Sequence, residues 1–206
     1  MKKEDKKLVW IGVGTAVVVS LVLLYVFRDK AKQLAKETFG GQKWFDESLR
    51  WYRDNKTKDI VDDLHPKFRN TIREFFSRVE KQLGLQMFAT SGYRTFEKQA
   101  QLHAENPQNA KAGYSSHNYG FAIDVNVIDP KTNKIILRKA SSSADWEKSG
   151  IVNVAREMGL KWGGGGAFGS YHDHVHFYID PNGLKTMDMY AMKNQGKVDN
   201  QGYVLV

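Results

Sequence analysis

Residues 115–127 read SSHNYGFAIDVNV, and this stretch decides the fold. Its second half begins an apolar run, residues 121–128, that is typical of a β-strand. The turn-forming segment DPKTNK follows, and the next residues, IILR, predict a return strand and therefore a β-hairpin. His117 and Asp124 flank Gly120 within the same stretch, seven residues apart. The hairpin therefore carries two metal-ligating residue types close to where its first strand begins.

A second informative stretch, GSYHDHVHFYI at residues 169–179, contains three of the six histidines, His172, His174 and His176. A metal site would explain the cluster, and so would chance placement on a solvated strand face. A catalytic zinc takes three protein ligands from His, Asp and Glu and leaves a fourth position for water. Two distant segments that together supply His, Asp and His satisfy that count.

The remaining pattern predicts helices mixed with strands. Apolar residues at helical spacing predict a helix over residues 67–83 that ends at Gly84, and residues 85–92 read as a strand. Further helices are predicted over residues 95–105, 143–159 and 181–193. The elements do not follow a regular βαβ order, so the predicted class is α+β.

Composition limits the partners of this chain. Cysteine is absent, which excludes disulfides and thiolate zinc sites. The net charge of +8 favours an acidic polymer as partner, such as nucleic acid, anionic lipid or cell wall. The basic residues are scattered and form no nucleic-acid-binding motif, so we expect no nucleic acid partner.

One segment is apolar enough to span a membrane. Residues 8–27, LVWIGVGTAVVVSLVLLYVF, contain no charged side chain, and as a helix they extend about 30 Å, the thickness of a bilayer core. A cleaved signal peptide would have an apolar core of about 7–15 residues and a small-residue cleavage site. This run is longer and ends in LLYVFRDK, which offers no such site. The sequence therefore predicts an uncleaved transmembrane anchor.

These features divide the chain into four parts. We predict a basic tail over residues 1–7, a transmembrane helix over 8–27, a helical spacer over 28–64 and a folded domain over 65–206. Lysines and arginines lie on both sides of the predicted span, so the positive-inside rule does not orient it.

Three ordered blocks resemble one family. SGYRTFEKQ (91–99) contains S-G-Y-R-[ST], SSHNYGFAID (115–124) fits S-x-H-x-x-G-x-A-x-D, and DHVHF (173–177) fits [D/E]-x-x-H-F. Together they resemble the zinc peptidases that cleave bacterial cell-wall peptides, namely D-alanyl-D-alanine carboxypeptidases and dipeptidases and L-alanyl-D-glutamate endopeptidases. The resemblance covers about residues 65–180. It implies a Hedgehog/DD-peptidase-like α+β domain with a central antiparallel sheet, placed here after the N-terminal transmembrane helix.

The resemblance also implies roles for individual residues. The implied zinc ligands are His117, Asp124 and His176. Asp173 falls on the family's general base, and Arg94 on the arginine that binds and polarises the substrate. Ser115 matches a serine of the motif and is expected to orient the substrate.

The spacing between the implied base and the last ligand sets a condition on the local structure. Asp173 and His176 are an odd number of residues apart, so a regular strand would point them to opposite faces. They converge only if the strand begins after Asp173 or is bulged there. On a regular strand His174 shares a face with His176, so we expect it to contact the substrate, and it stays an alternative as third ligand. His172 is expected to be a loop residue.

The implied function is hydrolysis of peptidoglycan stem peptides by a zinc peptidase held in the cell membrane, with its domain on the extracytoplasmic side. Aspartate at the base position and Trp162-Gly163-Gly164 resemble the L-alanyl-D-glutamate endopeptidases, although Gly165 replaces the acidic residue usual after this motif. A D,D-carboxypeptidase of the same family is the alternative. An inactive wall-binding module of a phage or secretion apparatus is the alternative of another class.

Overall fold

The computed structural model describes residues 42–206, and residues 54–206 form one compact unit. The predicted basic tail, the transmembrane helix over 8–27 and the start of the spacer lie outside the described residues, so the domain boundaries stay predictions. None of the helices within residues 42–206 is both long and apolar enough to cross a membrane.

The described residues contain six α-helices, five β-strands and two short 3-10 helices. The α-helices are α1 (Gln42–Asp62), α2 (Pro66–Leu83), α3 (Phe96–Glu105), α4 (Ser143–Lys148), α5 (Ile151–Glu157) and α6 (Thr186–Asn194). The strands are β1 (Gln86–Ser91), β2 (Ala122–Asp129), β3 (Lys134–Leu137), β4 (Lys161–Trp162) and β5 (His176–Tyr178). The 3-10 helices cover Ser116–Tyr119 and Pro181–Gly183.

All five strands form one antiparallel sheet. The main order is β1-β2-β5-β4, and β3 pairs with the far end of β2. β2 is therefore the central strand, and its pairing with β3 is the hairpin predicted from residues 121–138. The α+β class and the antiparallel sheet are confirmed.

Side-chain alternation along β2 separates the core from the functional face. Ile123, Val125 and Val127 are fully buried. Asp124 and Asn126 alternate with them and are only partly buried, as the period of two in a strand requires. In the neighbouring β5, Phe177 pairs with Ile123 and is also fully buried.

Helix α2 covers this core as its amphipathic pattern predicts. Phe68, Ile72, Phe75 and Val79 are its buried residues. The rings of Phe75 and Phe177 lie 5.1 Å apart between centroids, so the helix packs directly onto β5.

The single helix predicted over residues 143–159 is wrong. The chain forms α4 and α5, which are separated at Gly150 with a φ of 83°. Trp146 before the break and Ile151 after it are both fully buried. The apolar residues therefore keep a helix-like spacing even though the chain turns between them. Glycine adopts this left-handed conformation without a Cβ clash, which permits the break.

Gly120 ends the first 3-10 helix in the left-handed conformation, with a φ of 72°. A Cβ at this position would lie 2.5 Å from the backbone nitrogen of His65, whose N–H donates to the Gly120 carbonyl. Both the conformation and the close approach of a second backbone segment therefore require glycine. This turn carries the chain from His117 into β2.

We expect Gly120→Ala to destabilise the domain more than Gly159→Ala. Gly159 has a similar φ of 75°, but a Cβ at this position would have no other atom within 4 Å. Alanine there therefore adds conformational strain alone, which costs about 1–2 kcal/mol. Gly120→Ala adds a backbone clash, for about 1–3 kcal/mol more. Urea unfolding of both variants measures the difference, and equal losses would contradict the close-approach argument.

Candidate metal centre

Three side chains meet at one edge of the sheet. Asp124 near the start of β2 pairs in register with His176, the first residue of β5, so both side chains lie on the same face. The 3-10 helix of residues 116–119 brings buried His117 to the same point. These three residues form a group able to hold a metal ion.

Their ligand atoms form a nearly equilateral triangle. Nε2 of His117 lies 3.2 Å from Oδ1 of Asp124 and 3.1 Å from Nδ1 of His176. Nδ1 of His176 lies 3.0 Å from Oδ1 of Asp124. Ligands about 2.0 Å from a tetrahedral zinc lie about 3.3 Å from one another. The donor set and its spacing therefore fit zinc, with one position left over.

The hydrogen bonds around His117 fix which ring nitrogen faces the triangle. Its Nδ1–H donates to the carbonyl of Gly92 at 2.6 Å, so in the neutral ring Nε2 presents a lone pair. That lone pair faces the carboxylate of Asp124, and two acceptors this close repel unless a proton or a cation lies between them. A backbone carbonyl that holds the outer nitrogen of a histidine is typical of metal ligands.

The protonation of the group suits a cation. Burial lowers the pKa of His117 below its ordinary value, although Asp124 opposes the shift. Burial alone would raise the pKa of Asp124, but the charges and hydrogen bonds of His117 and His176 hold it well below the ordinary value. Near neutral pH the group therefore offers an ionised carboxylate and a neutral imidazole, which are the forms that bind metal.

Arg94 lies beside Asp124, where the chain leaves β1. Its Nη2 is 3.6 Å from Oδ2 of Asp124 and donates to Oγ of Ser91 at 2.9 Å. Its Nη1 donates to Oε1 of Gln99 at 2.9 Å. The nearly buried guanidinium is thus held rigidly next to the triangle.

Asp173 precedes β5 in a turn. The N–H of His176 donates to the carbonyl of Asp173 at 3.2 Å, and the strand begins at His176. The strand therefore starts after Asp173, which is one of the two arrangements that allow Asp173 and His176 to converge although they are an odd number of residues apart. Oδ1 of Asp173 is buried and has no hydrogen-bond partner among the described residues. A carboxylate oxygen without a donor keeps its lone pairs free to accept a proton.

Two glycines allow this turn to approach the site. A Cβ on Gly163 would lie 2.7 Å from the carbonyl of Asp173 and 3.1 Å from Cβ of His176. A Cβ on Gly164 would lie 2.2 Å from the ring of Trp162. Any larger residue at position 163 or 164 would clash with these neighbours, which explains the two glycines of the Trp162-Gly163-Gly164 motif.

The other two histidines of the cluster lie before the strand, and neither belongs to the triangle. His174 lies in the turn, not on β5 as a regular strand would place it. Its Nδ1 is 3.3 Å from the carbonyl of Lys139 and its Nε2 is 2.8 Å from Oγ of Ser143. Its role as a substrate contact stays a prediction. His172 is an exposed loop residue, as expected, and its Nδ1 is 2.9 Å from the carbonyl of Gly164.

Ser115 comes directly before the 3-10 helix that carries His117. Its carbonyl accepts the N–H of Asn118 at 2.9 Å, and its side chain makes no cap hydrogen bond to the helix. Its predicted role in orienting the substrate stays a prediction.

Sequence reasoning missed the residues that support the site from elsewhere in the chain. Gly92 contributes a backbone carbonyl, Gln99 a side-chain amide and Ser143 a hydroxyl. Lys139 contributes an ammonium, which lies near the aromatic ring of Tyr171. Gly92 and Gln99 lie inside the block that contains Arg94, so their nearness to it was a usable signal. Tyr171 lies two residues before Asp173 in the histidine-rich stretch, so its position was also a usable signal, whereas no spacing rule relates Lys139 and Ser143 to the sequence blocks.

We expect His176→Ala to abolish metal binding and His174→Ala to retain it. His176→Ala removes one of the three atoms of the ligand triangle. His174→Ala removes a ring that is hydrogen-bonded to Lys139 and Ser143 instead. His172→Ala is the control and should behave as wild type. Zinc content after dialysis measures all three. Zinc loss in His174→Ala with retention in His176→Ala would show that the wrong histidine is assigned.

Comparison with known sequences found proteins similar to this chain. The sequence pattern of a family described as D-alanyl-D-alanine carboxypeptidase matches residues 108–179. The chain is 27% identical over 146 residues to the peptidoglycan L-alanyl-D-glutamate endopeptidase CwlK of Bacillus subtilis (strain 168), a match that covers 64% of this chain and 84% of that protein.

Solved structures of similar proteins were also found. The L-Ala D-Glu endopeptidase ChiX of Serratia marcescens matches with a TM-score of 0.45 and 18% identity, covering 60% of this chain and 86% of that one. The zinc complex of the vancomycin resistance D,D-pentapeptidase VanY matches with a TM-score of 0.44 and 15% identity, covering 62% of this chain and 78% of that one. The family match confirms the resemblance and contains two of the three sequence blocks, so over residues 108–179 this chain is similar to the family described as D-alanyl-D-alanine carboxypeptidase.

Proposed function

We propose that this protein is a zinc peptidase that hydrolyses the stem peptides of bacterial peptidoglycan. The proposal rests on the triangle of His117, Asp124 and His176 ligand atoms together with the buried, unpartnered Oδ1 of Asp173, whose backbone carbonyl accepts the N–H of His176. A metal with an open position and a carboxylate without a donor are the two parts that metal-assisted hydrolysis requires.

In this proposal His117, Asp124 and His176 hold zinc. The bound ion supplies Lewis acidity, which lowers the pKa of water at the site to about 7. Asp173 accepts a proton from the attacking water through Oδ1 and passes it to the leaving amine. Since that oxygen has no donor among the described residues, no protein hydrogen bond has to break first.

Arg94 acts through its fixed charge. Its hydrogen bonds to Ser91 and Gln99 hold the guanidinium in place before substrate binds. A preorganised cation next to the reacting carbonyl stabilises the negative charge that develops on its oxygen. Arg94 therefore supports the transition state without a conformational change of its own.

The bond we propose is the one between L-alanine and D-glutamate. The support is the match to CwlK, which is named an L-alanyl-D-glutamate endopeptidase, together with Asp173 at the base position and the Trp162-Gly163-Gly164 motif. The family description, D-alanyl-D-alanine carboxypeptidase, keeps D,D-carboxypeptidase activity as the second candidate.

A catalytically inactive wall-binding module is less well supported. An inactive module would be expected to lack a ligand or the base, whereas His117, Asp124 and His176 lie together, Arg94 lies beside Asp124, and Asp173 is present before β5. Assembly with a phage or secretion apparatus stays a prediction.

We also propose that residues 8–27 anchor the protein in the cell membrane as a single span, with the peptidase domain on the extracytoplasmic side. Twenty uncharged residues support the anchor, and the location of peptidoglycan outside the membrane supports the orientation.

Digestion of purified peptidoglycan by the full chain should release peptides whose masses identify cleavage after L-alanine. Asp173→Asn is nearly isosteric but cannot accept the proton, so turnover should fall about 10²–10⁴-fold while zinc stays bound. Release of D-alanine alone would favour the carboxypeptidase alternative. Full activity of the metal-free protein would overturn the zinc mechanism.

Protease added to intact spheroplasts should remove the domain if the proposed topology is correct, because residues 28–206 would then lie outside the membrane. A cytoplasmic protein serves as the internal control for intact cells. Protection of the domain until the cells are permeabilised would show the opposite orientation.

A further inference from the structure

Lys139 lies in the loop between β3 and α4. His174 joins this loop to the turn that carries Asp173. The carbonyl of Lys139 can only accept, so Nδ1–H of His174 donates to it at 3.3 Å. Nε2 of the same ring then accepts the hydroxyl of Ser143 at 2.8 Å. His174 therefore joins the backbone next to Asp173 to the backbone of Lys139.

The side chain of Lys139 extends toward the metal site. Its Nζ lies 5.8 Å from the ring centroid of Tyr171, two residues before Asp173. Burial alone would lower the pKa of Lys139, but the Tyr171 side chain and the negative charges of Asp173 and Asp124 raise it above its ordinary value. The ammonium is therefore charged at neutral pH and lies within the field of both aspartates.

The two cations of the site differ in how many of their donors are already used. Arg94 donates to Gln99 and Ser91 and lies beside Asp124. Among the side chains that the structure describes, Lys139 forms no ion pair within 4.0 Å with a carboxylate, and it is exposed. An ammonium has three donors and Lys139 is exposed, so it keeps donors open toward solvent.

The substrates considered under the proposed function share a matching group. In an L-alanyl-D-glutamate bond the residue whose amine leaves is glutamate, which keeps a carboxylate. In a D-alanyl-D-alanine bond that residue carries the C-terminal carboxylate. In both cases an anion lies next to the bond that is cut, and a cation with open donors is the group that would bind it.

We propose that Lys139 binds the carboxylate of the substrate residue whose amine leaves, and that it is thereby a specificity-determining residue of the site. His174 positions Lys139 through the hydrogen bond to its backbone carbonyl. This inference rests on the proposed function. It assigns substrate recognition to a residue outside the three sequence blocks, and it leaves Arg94 to stabilise charge at the reacting carbonyl.

The test compares two peptides that differ only in this group, one with the free carboxylate next to the cleaved bond and one with a carboxamide there. Lys139→Met keeps the length of the side chain without its charge. We expect kcat/KM on the carboxylate peptide to fall about 10- to 100-fold, mostly through KM, since a hydrogen bond to a charged group is worth this much. The carboxamide peptide should change by less than about 3-fold, within the range of a surface substitution.

Two further variants separate charge from structure. Lys139→Arg should restore most of the activity on the carboxylate peptide because it keeps the cation. Lys148→Met, an exposed lysine on α4, is the matched control and should leave both peptides unaffected. Zinc content and the unfolding midpoint should equal those of wild type in all three variants.

Failure of the proposed role of Lys139 and failure of the proposed function give different results. If Lys139→Met reduces cleavage of both peptides equally, or of neither, while the wild type cleaves them, Lys139 does not bind the carboxylate and the proposed function stands. If the wild type cleaves neither peptide and does not digest peptidoglycan, the proposed function is wrong, and the role of Lys139 is wrong with it.

Discussion

The in-register pairing of β2 with β5 is the constraint on which the rest of the structure depends. It places Ile123 opposite Phe177 on the core face and Asp124 opposite His176 on the other face. One set of backbone hydrogen bonds therefore fixes both the buried core and two of the three clustered ligands. A slip of β5 by one residue would turn Phe177 out of the core and His176 into it, so the hydrophobic effect enforces the register that the site needs.

The third clustered ligand depends on a different contact. His117 lies outside the sheet, and its position comes from the turn at Gly120 and from its hydrogen bond to Gly92 after β1. The backbone of His65 passes so close to Gly120 that no larger residue fits. The ligand triangle therefore joins three segments that are distant in sequence, and its geometry reflects the packing of the whole domain.

The sequence predicted the central hairpin, helix α2 and the ligand cluster, because these depend on local periodicity and on motifs with fixed spacing. It failed where tertiary contacts override a local pattern. Gly150 breaks a helix whose apolar spacing continues on both sides, and His174 lies in a turn because β5 has only three residues. Lys139 could not be predicted, since no spacing rule relates a loop after β3 to a turn before β5.

The crowding of histidines in residues 169–179 has a physical explanation in this arrangement. Three residues of β5 pair with β2, and the turn before that strand carries Asp173, whose carbonyl accepts the N–H of His176. Glycines at residues 163 and 164 make room for the turn, but glycine does not stabilise it. The side chain of His174 provides that support by accepting from Ser143 and donating to the Lys139 carbonyl. His176 and His174 thus share a residue type but not a position, since His176 belongs to the candidate ligand triangle and His174 joins the segments that carry Asp173 and Lys139.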